Sequence, residues 1–300
     1  MPSELIAVLI AVSEDRPMVL TLDSGRLLPS GPLEAGHRSL QTGLRLWVER
    51  QTGHALGHVE QLYTFADAPD GTSAGDAPDD RTVLISYLAL TRIHRGEHGW
   101  RNWYAYFPWE DQTAPSGRDL VVRIAERLND WARQAPPLQR EVRRQRIALT
   151  FGLDGLGWDD ELVLQRYELL WEAGLVPESG RAGAGAAMLP GVPMARGNRR
   201  ILATAMARLR AKIRYRPVIF ELMPDSFTLL HLQRTVEAVA GQSMHKQNFR
   251  RLITQQDLVE ETADFAPETR GRPARLFRFR REVIGARRIA GSKLPLTRPF

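Results

Sequence analysis

The stretch TLLHLQRTVEAVAGQSMHKQNFRRLITQ, residues 228–255, contains two helical apolar periods separated by a glycine. Thr228 suits an N-cap, Leu229, Leu232, Val236, Val239 and Ala240 form one stripe, and Gly241 supplies the stop. After the turn at Gly241 to Ser243, a second helix is predicted from Met244 to Gln255, with Phe249, Leu252 and Ile253 turned inward. At 100° per residue, Gln247 falls about 160° and Arg251 about 200° from Phe249. The outward face is therefore Lys246, Gln247, Arg250, Arg251 and Thr254. Such a face fits the major groove of duplex DNA, where Gln pairs with adenine and Arg with guanine.

Working outward, Arg275, Phe277 and Phe279 alternate with Leu276, Arg278 and Arg280, and FAPETRGR at 265–272 reads as the loop of a wing. Arg270 and Arg272 at its tip are placed to reach phosphate or an adjacent minor groove. A basic helix face can also be plain solvation. The order of helix, turn, polar face and basic wing favours a winged helix-turn-helix domain over residues 214–300, with Val218 to Leu222 as a short strand ahead of the two helices.

Charge supports this assignment. Residues 196–300 hold 22 Lys and Arg against 9 Asp and Glu, whereas residues 1–195 hold 19 against 26. An acidic front and a basic back point to a polyanion met by the C-terminal third. The absence of cysteine excludes disulfides, thiolate catalysis and cysteine metal sites. MPSELIAVLIAVSEDRP has no basic region before its short apolar run, and no apolar stretch is long enough to span a bilayer. The expected location is cytoplasmic, nucleoid-associated when bound to DNA, without membrane contact.

The front reads as α+β. A hairpin is predicted from Leu5 to Val12 and Met18 to Leu22, a helix from Ser39 to Gln51, strands at Val59 to Phe65, Thr82 to Leu90 and Trp100 to Phe107, and a helix from Arg118 to Gln134. Between two of these strands lies an acidic, Pro/Gly-rich loop at 66–80. Helices are predicted at Gln139 to Leu149, Asp159 to Glu172 and Arg199 to Ile213. The expected divisions are 1–135, a mixed-sheet domain; 136–213, a helical connector and dimerisation segment; and 214–300, the winged helix.

The run LPSGPLEAGHRSLQTGLRLWVERQTG, residues 28–53, resembles a Nudix box that has lost its acidic residues. The family pattern is G, five residues, E, seven residues, then REUxEExGU. Started at Gly31, it puts His37 on the first glutamate and Arg45 on the arginine; anchored at Gly53, it puts Arg50 and Gln51 on the paired glutamates. Mg²⁺ chemistry on a diphosphate needs converging carboxylates, and the helix has a single acidic residue, Glu49. Arg50 cannot bind Mg²⁺, but its charge can hold a diphosphate or merely cover a solvated helix face. The resemblance implies an α/β/α mixed-sheet fold binding a nucleotide without hydrolysing it, with Arg45 and Arg50 as ligand-binding residues.

HGWRNWYAYFPWED at 98–111 is rich in aromatics. Alternation along a strand would set Trp103 on one face and Tyr104 on the other, so these residues either stack a base in a pocket or pack the core. His37, His54, His58, His94 and His98 show no ligand spacing of a known kind, and neither a metal nor a cofactor is expected.

GQSMHKQNFRRLI, followed by GRPARLFRF, resembles the C-terminal winged helix of the NrtR group, Nudix-related transcriptional regulators of NAD metabolism. The middle, FGLDGLGWDDELVLQRYELLWEAGLVPE with RRILATAMARLRAKIRYRP, is most similar to the NadQ regulators of alphaproteobacteria. The resemblance adds Asn248 to the DNA-contacting set, through the NFRR block of Asn248, Phe249, Arg250 and Arg251. It implies a homodimer on palindromic double-stranded operator DNA, answering to an NAD-related or adenine nucleotide, with no catalytic residues. The alternatives are an active Nudix hydrolase of ADP-ribose or a related dinucleotide with an accessory DNA-binding domain, and a non-enzymatic RNA- or protein-binding adaptor.

Overall fold

In the computed structural model, the described residues are 2–57, 59–65, 82–181, 188–266 and 273–280. The apolar run at the N-terminus forms β1 (Ser3–Ser13), which turns through Glu14 and Asp15 into β2 (Arg16–Leu20). Both turn residues have positive φ, 50° and 57°, the geometry of a two-residue hairpin turn that matches strand twist. β3 (Ser30–Pro32) pairs antiparallel with the first half of β1, and β5 (Val83–Leu90) runs parallel along its other side. β4 (Val59–Phe65) closes one edge against β5 and β6 (Trp100–Asn102) the other against β2, giving the order β4-β5-β1-β2-β6.

β1 is apolar from Leu5 to Val12 because both faces of the sheet are covered. Leu5, Ala7 and Leu9 meet α1 (Leu40–Thr52) through Leu44 and Val48. Ser39 caps α1 by accepting from the Thr42 N–H, and Gly53 ends it at φ 71°. Ile6, Val8 and Ile10 point the other way, into a larger core shared with α2 (Pro115–Arg133), α3 (Pro137–Phe151), α4 (Val163–Glu172) and α5 (Asn198–Tyr215). α5 lies against β1 and β4 and buries Ile201, Leu202, Ala205, Met206, Leu209 and Ile213. The layered α/β/α arrangement is thus completed by a helix from the stretch expected to act as connector.

The C-terminal part consists of α6 (Leu229–Ala240), α7 (Lys246–Gln255), β7 (Val259–Phe265) and β8 (Arg275–Phe279). β7 and β8 pair antiparallel, and a bridge from Phe227 to Phe277 adds a third extended segment. Phe220 stacks on Phe279 at 4.1 Å between ring centroids, so the wing is anchored beside the helices.

Two expected strands are corrected. Trp100 to Phe107 is extended only as far as Asn102; the Asn102 side chain then accepts from the Tyr104 N–H and starts a 3-10 turn at Trp103–Ala105, followed by another at Pro108–Glu110. Side chains beyond Asn102 therefore do not alternate between two faces. Val218–Leu222 is also a 3-10 turn, since a short buried apolar run does not distinguish strand from helix and Pro217 sets the entry. α4 begins at Val163 rather than Asp159, whose carboxylate accepts from the Glu161 N–H in the preceding turn. α7 begins at Lys246 rather than Met244, whose backbone is held by α6.

Candidate nucleic-acid interface and sensor cleft

α7 is seated by Phe249 and Ile253, both 0% exposed, against Leu232, Val236 and Val239 of α6 and its surroundings. The turn between the helices is fixed from α6: Glu237 Oε1 accepts from Met244 N at 2.7 Å and from Gln233 Nε2 at 3.0 Å, and Gln233 Nε2 also donates to Met244 O at 3.0 Å. On the opposite side Lys246, Gln247, Asn248, Arg250, Arg251 and Thr254 are all exposed. The wing differs: Arg275, Arg278 and Arg280 pair with Glu261, Glu260 and Asp257. Arg270 and Arg272, the expected wing-tip contacts, lie outside the described residues.

The expected nucleotide-binding residues do not converge. Arg45 donates through Nη1 to Leu56 O, and the Arg50 guanidinium sits over the Trp47 ring at 5.0 Å. Trp103 is completely buried in the larger core. The Tyr104 hydroxyl donates to Ala238 O at 2.6 Å, and burial pushes its pKa up to about 12. Gln51 is bound at both ends of its amide to the Ser30 backbone, donating at 2.7 Å and accepting at 3.1 Å. Glu49 is the sole carboxylate on α1, and it is exposed. That donor set does not fit the divalent cation of a Nudix active site.

A cleft of about 610 Å³ opens beside the C-terminal end of α1 instead, lined by Asp23, Ser24, Gly25, Gln51, Thr52, Arg95, Glu97 and Arg101 among others. Arg95 and Arg101 are exposed there and present charge suited to phosphate oxygens. Gly99, at φ 87°, closes the cleft wall so tightly that a Cβ would come within 2.5 Å of Thr21 O. None of Arg45, Arg50, Trp103 or Tyr104 lines the cleft. Its sequence signal was HRGEHG at 94–99, where two glycines interrupt a polar run.

A buried ionic junction lies between this front part and α6. Glu110 accepts from Arg166 Nε at 2.5 Å, Arg166 Nη2 at 3.0 Å and Arg210 Nη1 at 2.6 Å, and all three residues are 0% exposed. Arg210 also donates through Nε to Val239 O at 2.9 Å. Gln112 N donates to Gly241 O at 2.9 Å, and a Cβ on Gly241 would strike Glu110 O. Burial raises the pKa of Asp160, whose Oδ2 has no hydrogen-bond partner, and lowers that of Arg166. Charge counting along the sequence missed these residues, although Arg210 stands on the apolar stripe of α5 between Met206 and Ile213.

The fold defines a Nudix-like mixed-sheet layer joined through helices to a winged helix. Residues 219–279 match the NrtR DNA-binding winged helix domain. The "ADPR responsive transcriptional repressor NtrR" of Acinetobacter baylyi is 42% identical over 79 residues, which are 26% of this chain and 31% of that protein. Shewanella oneidensis NrtR superposes with a TM-score of 0.52 and 16% identity over 93% of this chain and 94% of that one. The same protein complexed with a 27mer DNA gives a TM-score of 0.50 and 19% identity over 92% and 93%. A MutT/nudix family protein from Enterococcus faecalis gives 0.50 and 15% over 93% and 88%. Its winged-helix segment is thus similar to that of the NrtR family, and the match spans about a third of the length of the curated relative. No described helix is long and apolar enough to cross a membrane.

Proposed function

We propose that this protein is a nucleotide-responsive transcriptional repressor of NAD-biosynthesis genes, of the NadQ type within the NrtR family. It reads palindromic operator DNA with α7 and senses an NAD-related or adenine nucleotide, such as ADP-ribose, in a Nudix-like domain that does not hydrolyse it. The observation that carries this reading is the exposed Lys246, Gln247, Asn248, Arg250, Arg251 and Thr254 face on a helix anchored by Phe249 and Ile253. Arg270 and Arg272 supply phosphate contacts from the wing. The cleft at Arg95 and Arg101 is the effector site in place of Arg45, Arg50, Trp103 and Tyr104, because it is where open space and cationic side chains coincide.

Two such recognition helices reach half-sites roughly one helical turn apart only as a dimer. The dimer surface is α3, where Leu138, Val142 and Leu149 lie exposed on one side. The segment that carries Gly99 and Arg101 runs directly into Tyr104 and Glu110, which touch α6 at Ala238 and, through Arg210, at Val239. Effector occupancy thereby reaches the helix that positions α7.

The test is a gel-shift titration of palindromic DNA from upstream of NAD-biosynthesis genes, with and without ADP-ribose and NAD, alongside a Mg²⁺-dependent hydrolysis assay. Specific binding altered by a nucleotide that survives the incubation is expected. Turnover of ADP-ribose would point to a hydrolase, and equal binding to single strands or scrambled duplex to an adaptor.

A further inference from the structure

Next to the cleft, three metal-binding side chains meet from distant points of the chain. His54 follows the Gly53 stop of α1 and is 2% exposed; His94 and Glu97 lie on the loop between β5 and β6. One ligand atom from each of the three lies within 4.8 Å of the others. We propose that His54, His94 and Glu97 bind a divalent transition-metal ion of the Zn²⁺ class at the edge of the cleft, with a coordination position left open toward it.

The surroundings already orient the donors as a metal site requires. Glu97 Oε2 is occupied by the Trp100 indole N–H at 3.0 Å and by His94 N at 3.2 Å, which leaves Oε1 facing His54 Nδ1 at 2.7 Å. The other ring nitrogen of His54, Nε2, is held 2.8 Å from Thr91 Oγ1. Loss of the Nδ1 proton to an incoming ion leaves Nε2–H to donate to the Thr91 hydroxyl, which holds the Nδ1 lone pair toward the ion, as outer-shell partners do at metal-binding histidines. Two imidazoles and one carboxylate suit Zn²⁺, Mn²⁺ or Ni²⁺, whereas Mg²⁺ and Ca²⁺ require oxygen shells.

Bond lengths of about 2.1 Å in a tetrahedral shell place ligand atoms about 3.4 Å apart. The His54–Glu97 pair has only to open slightly, and the exposed His94 has to move inward, next to a glycine at φ 87°. Glu97 lines the cleft, so the remaining coordination position is available to a phosphate or carboxylate oxygen of whatever enters.

A buried His54 joined to Glu97 and Thr91 could also be a purely structural link between α1 and the sheet. His94 separates the two roles, because it takes no part in the His54–Glu97–Thr91 hydrogen bonds through its ring. The experiment is equilibrium dialysis of the chelator-treated full chain against Zn²⁺, with metal content and Trp fluorescence as readouts. One ion per chain is expected, unaffected by excess Mg²⁺. His94→Ala and Glu97→Gln should each weaken binding at least about tenfold, the loss that outer-shell partners alone can produce. His98→Ala should bind as the unsubstituted chain does, and Trp100→Phe, which removes the indole N–H from Glu97 Oε2, should weaken binding and reduce the fluorescence response. Absence of saturable binding, displacement by Mg²⁺, or a folded His94→Ala chain that binds equally well would overturn the assignment. Nucleotide binding is not part of this readout, so the outcome is separate from that of the effector reading.

Discussion

Replacing Glu110 with Gln changes one atom in the centre of the molecule and tests whether the buried junction holds the front part to the winged helix. The carboxylate receives three guanidinium donors, two from Arg166 and one from Arg210, with no solvent access. A Gln amide keeps one acceptor and turns its NH₂ donors toward a guanidinium. With the amide oxygen kept at the Oε2 position, the bond from Arg166 Nε is lost and the two that remain no longer have a charged acceptor, in line with about 3–5 kcal/mol for removing one partner of a buried pair. Urea unfolding followed by far-UV circular dichroism and Trp fluorescence should show a fall of about 3–5 kcal/mol. The triple substitution Glu110→Leu, Arg166→Met, Arg210→Met should recover part of it, since no buried charge is left alone. Recovery stays incomplete because Thr150 O, Asp159 O and Val239 O lose their donors. A Glu110→Gln chain within about 1 kcal/mol of the parent would refute the reasoning, because the arginines would then be satisfied without the carboxylate.

Further expectations concern the interfaces, the cleft and the buried acid. Gln247→Ala and Arg251→Ala should each cost roughly 1–3 kcal/mol on operator DNA with little change on scrambled duplex, measured across a salt series on folded protein. Asp160 has a raised folded pKa, so the stability it contributes is present below about 3.9 and is lost as pH rises through the folded value. Asp160→Asn should therefore flatten stability against pH in that window, checked by urea titrations from acid to neutral pH. Gly99→Ala combines a positive φ with a clash against Thr21 O, and should abolish nucleotide binding in calorimetry while DNA binding persists. Leu138→Glu with Val142→Glu should convert the proposed dimer to a monomer by sedimentation, since both side chains are already exposed in the single chain.

The amino-acid sequence by itself determined the elements whose signals are local. The α6–turn–α7 unit follows from the cap at Thr228, the stop at Gly241 and two apolar stripes, and the β1–β2 hairpin from an apolar run broken by SEDRP. These signals work because helix caps, stripes and turns arise from neighbours within a few residues. Tertiary structure decided the rest. Trp103 and Tyr104 are in a 3-10 turn against the core, and Arg166, Arg199 and Arg210 are fully buried although their residue types suggest a solvated surface. The cleft joins residues 21–25, 51–52 and 95–101, and the cluster joins His54 to His94 and Glu97, segments distant in the chain that only sheet pairing brings together. Whether a charged side chain is paired, and which loops face one another, depends on contacts between distant parts of the chain. No period or local spacing encodes those contacts, because the energy that selects them is released only when the layers close.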